Sequence, residues 1–232
     1  MVNHITSGSG NADIIFLHGF GGSTKSFEYF ANRLNGRYRT TLLDFYGFGH
    51  TPPLERAMDI DDYVRSVEEL MDAYGMRRVM LVGHSFGGRV AIKLAAKGDT
   101  RIKKLVLADS AGILPKRGFS YYVKVYTYKF FKKLHITLNT GSSDYRGLSE
   151  VMKQTFVKVV NEDLEPYLEK IKCPTLIVWG ENDKDTPPEM GEIMEQKIPN
   201  GERVVFLGCG HFAYIEEAGR FLRILEAMME GE

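Results

Sequence analysis

Cysteine is scarce in this 232-residue chain, where Cys173 and Cys209 are the only two. Two thiols build no disulfide framework, and no Cys/His spacing typical of zinc sites accompanies them, so reduced thiols are expected. Net charge is missing too: 30 basic and 30 acidic residues cancel to zero. That balance argues against electrostatic nucleic-acid binding, because phosphate affinity draws on surplus Lys and Arg. No apolar run approaches the roughly 20 residues of a transmembrane segment. The polar stretch from Met1 to Asp13 has neither the basic nor the apolar region of a secretory signal. Internal repeats are absent, as is any Gly/Ser- or Pro-rich linker long enough to separate two domains. These absences leave a soluble, cytoplasmic, single-domain protein over residues 1–232, with 44% hydrophobic and 12% aromatic residues to fill its core.

Short, nearly continuous apolar runs recur at Ile14 to Leu17, Arg39 to Leu43, Val79 to Val82, Lys104 to Ala108, Thr175 to Trp179 and Arg203 to Leu207. Helical periodicity fills the gaps, with helices expected at Ser26 to Leu34, from Ile60 to a stop at Gly75, and at Phe86 to Ala96, Glu189 to Lys197 and Glu216 to Met229. Strands without polar alternation, separated by helices, read as a mostly parallel sheet covered on both faces, so the fold class is α/β. Roughly 65 residues separate Ala108 from Thr175, far more than one crossover helix needs. An insertion is expected from Ala111 to about Lys170, with a first helix from Phe119 to Leu134 and a second from Tyr145 to Val160. From Ser110 to Ser143 there are six basic residues and no acidic one, whereas Glu150 to Glu232 holds 17 acidic and 9 basic. The zero net charge is therefore a cancellation between segments. A basic insertion suits anion steering or contact with an anionic membrane, or is simply a solvated helix face.

Gly83-His84-Ser85-Phe86-Gly87-Gly88 follows an apolar strand and opens a helical pattern. This is the setting of a nucleophile elbow, in which glycines admit a tight turn that presents the serine. A serine hydroxyl needs a base, and the base needs an orienting acid. His211 follows the last strand and Asp183 the one before, so all three sit at carboxyl ends of strands, where open parallel sheets bind ligands. Asp109 and Asp185 are the rival acids, while His18 and His84 flank the site as packing or hydrogen-bonding groups. Developing negative charge needs donors. The turn His18-Gly19-Phe20-Gly21-Gly22 suits one, the amide of Phe20, and the amide of Phe86 suits the other. The turn lacks both the P-loop ending and the dinucleotide-binding glycine spacing.

These motifs, together with Asp44 to Thr51, Cys173 to Gly180 and Gly208 to His211, resemble the α/β-hydrolase superfamily across all but about a quarter of the chain, the unmatched part being the insertion, read as a small helical lid. The resemblance implies Ser85 as nucleophile, His211 as base, Asp183 as acid, Phe20 and Phe86 as oxyanion donors, and no cofactor or metal. Only about a dozen residues precede Ile14, so the antiparallel hairpin usual in the family is expected to shrink to one short strand. Asp44 to Thr51 is read as scaffolding near the site. The serine argues against relatives with a nucleophilic aspartate, the haloalkane dehalogenases and epoxide hydrolases. Carboxylic-ester hydrolysis through an acyl-enzyme, on a small molecule with a hydrophobic acyl or aryl group, is the first expectation. C-C bond hydrolases of vinylogous diketones, lyase-like relatives acting on acidic menaquinone precursors, and a non-catalytic binding protein on the same scaffold are the alternatives. Arg89 is shared with some of the lyase-like group and is otherwise read as a helix-surface residue.

Overall fold

The computed structural model describes residues 2–114 and 147–230. Its strands are β1 (His4–Ser7), β2 (Asp13–Leu17), β3 (Arg39–Leu43), β4 (Val79–His84), β5 (Ile102–Ala108), β6 (Thr175–Gly180) and β7 (Gly201–Phe206). They form one sheet in the order β1-β3-β2-β4-β5-β6-β7. β1 pairs antiparallel with β3, and every other pairing is parallel. The short β1 is the reduced edge that the sequence led us to expect.

The helices among the described residues are α1 (Glu28–Leu34), α2 (Ile60–Ala73), α3 (Phe86–Ala96), α4 (Glu150–Asn161), α5 (Glu165–Leu168), α6 (Pro188–Lys197), α7 (Ala213–Glu216) and α8 (Ala218–Glu230). Alternate strand residues enter different cores. Ile15, Leu17, Leu81, Leu105 and Ile177 pack with α2, α3 and α6. Ile14, Phe16, Val82, Val106 and Val178 pack with α1 and α8. Both faces are thus covered, which is why the strands read as apolar runs. None of the described helices is long and apolar enough to cross a membrane.

Local chemistry explains some boundaries. Asp59 caps α2 by accepting from the Asp62 N–H at 3.0 Å, and the Asp62 carboxylate accepts from the Asp59 N–H at 3.2 Å. Three expectations shift. The segment read as Ser26 to Leu34 begins as a 3₁₀ turn, Thr24–Phe27, before α1. The helix expected from Glu216 is broken at Glu217 (φ −115°, ψ 45°), leaving the separate α7 and α8. α4 starts at Glu150, where the Ser149 hydroxyl accepts from the Met152 N–H at 3.2 Å. The expected helix from Phe119 to Leu134 lies outside the described residues.

The chain leaves β2 to form β3 on one side and then returns to form β4 on the other. Strand order reverses there, so the loops after β2 and β4 diverge and open a crevice at their carboxyl ends. Residues 19–22 and Ser85 line that crevice.

Candidate active site

Ser85 sits between the end of β4 and the start of α3 with φ 49° and ψ −110°. A side chain rarely adopts this conformation, and it persists only where the surroundings hold it. They do so through the backbone: the Ser85 N–H donates to the Ala108 carbonyl at 3.2 Å, while the Ser85 carbonyl accepts from Gly88 and Ala111, both at 3.1 Å. Gly87 lets the first turn of α3 press on the end of β2, because a Cβ there would lie 2.0 Å from the Leu17 carbonyl oxygen.

His211 follows β7 and meets Asp183, which follows β6, with Nδ1 2.9 Å from Asp183 Oδ2. The carboxylate accepts the Nδ1 proton, which leaves Nε2 as the basic nitrogen. Burial pushes the Asp183 carboxyl up, but hydrogen bonds from His211 and Thr186 outweigh it and hold the group below its ordinary range. Burial lowers the His211 imidazole, and the Asp183 hydrogen bond and charge more than reverse this, with Asp109 and Asp185 adding to the rise.

Thr186 is the residue that the sequence reading missed. Its Oγ1 lies 2.6 Å from Asp183 Oδ2, 3.2 Å from His211 Nδ1 and 3.1 Å from the Asp109 carbonyl oxygen. The other Asp183 oxygen accepts from the Asp185 and Thr186 N–H groups at 2.8 and 3.0 Å. That local turn is the available signal: a threonine three residues after an aspartate folds back onto it. Asp185 itself is exposed. Asp183, Asp185 and His211 are also the group of potential metal ligands found among the described residues. Both Asp183 oxygens and His211 Nδ1 are engaged in the hydrogen bonds just given.

The flanking histidines are buried and held neutral. His84 Nε2 donates to the His211 carbonyl at 2.8 Å, fixing the backbone behind the imidazole, and burial drives the His84 pKa down to about 3. His18 Nδ1 donates to the Gly19 carbonyl at 2.7 Å and Nε2 accepts from the Phe45 N–H at 3.1 Å, with burial lowering its pKa as well. Asp44 ties the same region together, accepting from the Thr24 N–H at 2.6 Å and the His50 N–H at 2.8 Å. The Gly19 carbonyl accepts from the Gly22 N–H at 2.9 Å, closing a turn whose second residue is Phe20. Phe86, as the first residue of α3, has an N–H with no intrahelical partner.

Phe20, Ser85, Phe86 and His211 line one cavity of about 630 Å³. Ile113, Phe156, Val159 and Met190 make much of its wall apolar. A neighbouring cavity of about 550 Å³ shares Phe20 and Gly21 and is lined by no charged residue among those described. Arg89 corrects the sequence reading. It is not on the helix surface: it is only 6% exposed and lines the 630 Å³ cavity, with Nη1 donating to the Glu162 carbonyl at 2.9 Å. Burial lowers its pKa to about 10, opposed by the charges of Glu162 and Asp163. Among the described residues no carboxylate lies within ion-pair distance of it.

The sequence profile of the alpha/beta hydrolase fold family matches residues 14–158 and 115–218. A 2-hydroxy-6-oxononadienedioate/2-hydroxy-6-oxononatrienedioate hydrolase of Burkholderia vietnamiensis is 27% identical, covering 97% of this chain and 89% of its own. Lipase 3 of a Moraxella species is 26% identical, covering 88% and 72%. Among solved structures, a membrane phospholipase A described as a bacterial virulence factor aligns with a TM-score of 0.79 at 26% identity, over 98% of this chain and 82% of that one.

Proposed function

Because the chain belongs to the α/β hydrolase fold family, we propose that it is a serine hydrolase that cleaves the carbon-carbon bond beside a ketone in a small carboxylated dienone. This reverses the order of the two readings taken from sequence, which placed ester hydrolysis first. The observation that carries it is Arg89, a buried guanidinium at the wall of the Ser85 cavity with no carboxylate partner among the described residues. A buried cation is costly unless an anion meets it, so the cavity suits a substrate that brings its own carboxylate. The substrate named for the Burkholderia relative has that character. It carries carboxylates and a ketone but no ester, so a hydrolase acting on it must break a C-C bond.

The residues support the chemistry as follows. His211 Nε2 takes the Ser85 proton as Oγ adds to the ketone carbon, and the oxyanion rests on the Phe20 and Phe86 N–H groups. With the 2-hydroxy group in its keto form, collapse of the adduct breaks the C-C bond. The electron pair runs into the conjugated 2-oxo acid as a dienolate, which takes the proton from His211. Water, deprotonated by the same nitrogen, then adds to the acyl-serine, releasing the acid and restoring Ser85. Ester hydrolysis by the same residues is the second reading, favoured by the likeness to Lipase 3 and to the phospholipase A.

Arg89→Gln separates the two. With a 2-hydroxy-6-oxohexa-2,4-dienoate, followed by loss of its visible absorbance, kcat/KM is expected to fall about 10- to 100-fold, the value of a charge-assisted hydrogen bond. With neutral p-nitrophenyl butyrate it should change less than about twofold. Equal losses on both substrates would remove the case for a carboxylate partner.

A further inference from the structure

Asp109 takes no part in that chemistry, yet it is the other non-glycine residue besides Ser85 with positive φ among those described, at 44°. It is fully buried. In the parallel ladder between β5 and β6, the Asp109 N–H donates to the Val178 carbonyl at 2.9 Å. Regular pairing would continue with the Gly180 N–H donating to the Asp109 carbonyl. The left-handed turn replaces that bond. Gly180 donates instead to the Asp109 carboxylate Oδ1 at 2.7 Å, and the freed carbonyl faces Thr186 Oγ1 at 3.1 Å. Oδ2 accepts from the Ala213 N–H at 3.2 Å. One side chain thus grips the backbone three residues before Asp183 and two residues after His211.

We propose that Asp109 is a positioning residue, whose carboxylate locks the Asp183 loop to the start of the helix behind His211 and holds the imidazole in register with Asp183. The proposal rests on the reading of His211 as the general base. Ionised Asp109 also adds negative charge behind the ring, favouring the imidazolium that forms during turnover. Burial raises the Asp109 carboxyl to about 7, opposed by the Gly180 N–H and reinforced by the charge of Asp183. The titratable groups that face it are Asp183 after β6, His211 and Cys209 after β7, and Tyr214 in α7. That rise brings its ionisation toward the range in which the imidazole works.

The test is a 15N and 13C NMR titration of the wild-type protein beside Asp109→Asn, since asparagine also accepts a left-handed φ. In the wild type, the Asp109 carboxyl 13C shift and the Gly180 and Ala213 amide protons should move with pH together, inflecting near neutrality. In Asp109→Asn the His211 ring pKa should fall, and kcat should drop by about tenfold with KM within about twofold. A residue that merely closed the sheet would lower the melting temperature and leave the His211 titration unchanged, and that outcome overturns the proposal, as do flat Gly180 and Ala213 amides. The wild-type amide titration needs neither a substrate nor a stable variant. It therefore still decides on Asp109 if the variant does not fold, or if Ser85 proves not to be the nucleophile.

Discussion

Ser85→Ala and Ser85→Gly are expected to abolish turnover equally, by about 10⁶-fold, while differing in stability. Both remove Oγ, the atom that the proposed mechanism has His211 activate. Their difference lies in the backbone. Alanine keeps a Cβ at φ 49° and ψ −110°, so it inherits the strain. Glycine relieves it. A strained non-glycine residue of this kind costs about 1–3 kcal/mol, and the extra chain entropy of glycine returns about 0.5–1. The net gain of about 1 kcal/mol should raise the melting temperature of Ser85→Gly over Ser85→Ala by about 2–4 °C. Thermal melts and a turnover assay on the two variants check both halves. A glycine variant less stable than the alanine one would mean that the elbow stores no strain.

Asp183→Asn carries the second-largest effect, a loss of about 10⁴-fold in kcat with the fold retained. The geometry gives the reason. Oδ1 must keep accepting the Asp185 and Thr186 N–H groups. The new amide nitrogen therefore lands where Oδ2 was, 2.9 Å from His211 Nδ1 and 2.6 Å from Thr186 Oγ1. That NH₂ can only donate. It forces Nδ1 to become the acceptor and moves the ring proton to Nε2, the nitrogen that receives the Ser85 proton in the proposed mechanism. Steady-state kinetics together with the ring 15N shifts of His211 would show both the loss and the tautomer. A variant with near-normal kcat would transfer the orienting role to another acid.

The parts of the site that were legible in sequence are those fixed locally. Ser85 was readable because the steric demand of its turn places glycines at 83, 87 and 88 between a strand and a helix, and α3 spans the expected Phe86 to Ala96. Arg89 was misread for a physical reason. Helix α3 is buried almost all round, so the usual inference that a charged residue marks the solvent face fails. Arg89 and Lys93 lie one turn apart. The Glu162 carbonyl receives Arg89, and its carboxylate meets Lys93, which also pairs with Asp61 at 2.8 Å. Glu162 is 73 residues away from Arg89 in the chain, and no local pattern announces the contact. Asp109 presents the same difficulty. Its place at a strand end marked it as a rival acid, but its two bonds reach 71 and 104 residues along the chain. The split between α7 and α8 was hidden as well, because the apolar periodicity continues across the break at Glu217.

The account turns on Ser85 as the nucleophile activated by His211. Its most direct test is reaction of the native protein with a fluorophosphonate, followed by intact-mass and peptide mass spectrometry. The prediction is a single adduct on Ser85, absent from Ser85→Ala and much slower to form in His211→Ala. An adduct at any other residue, or undiminished labelling of Ser85→Ala, would contradict it.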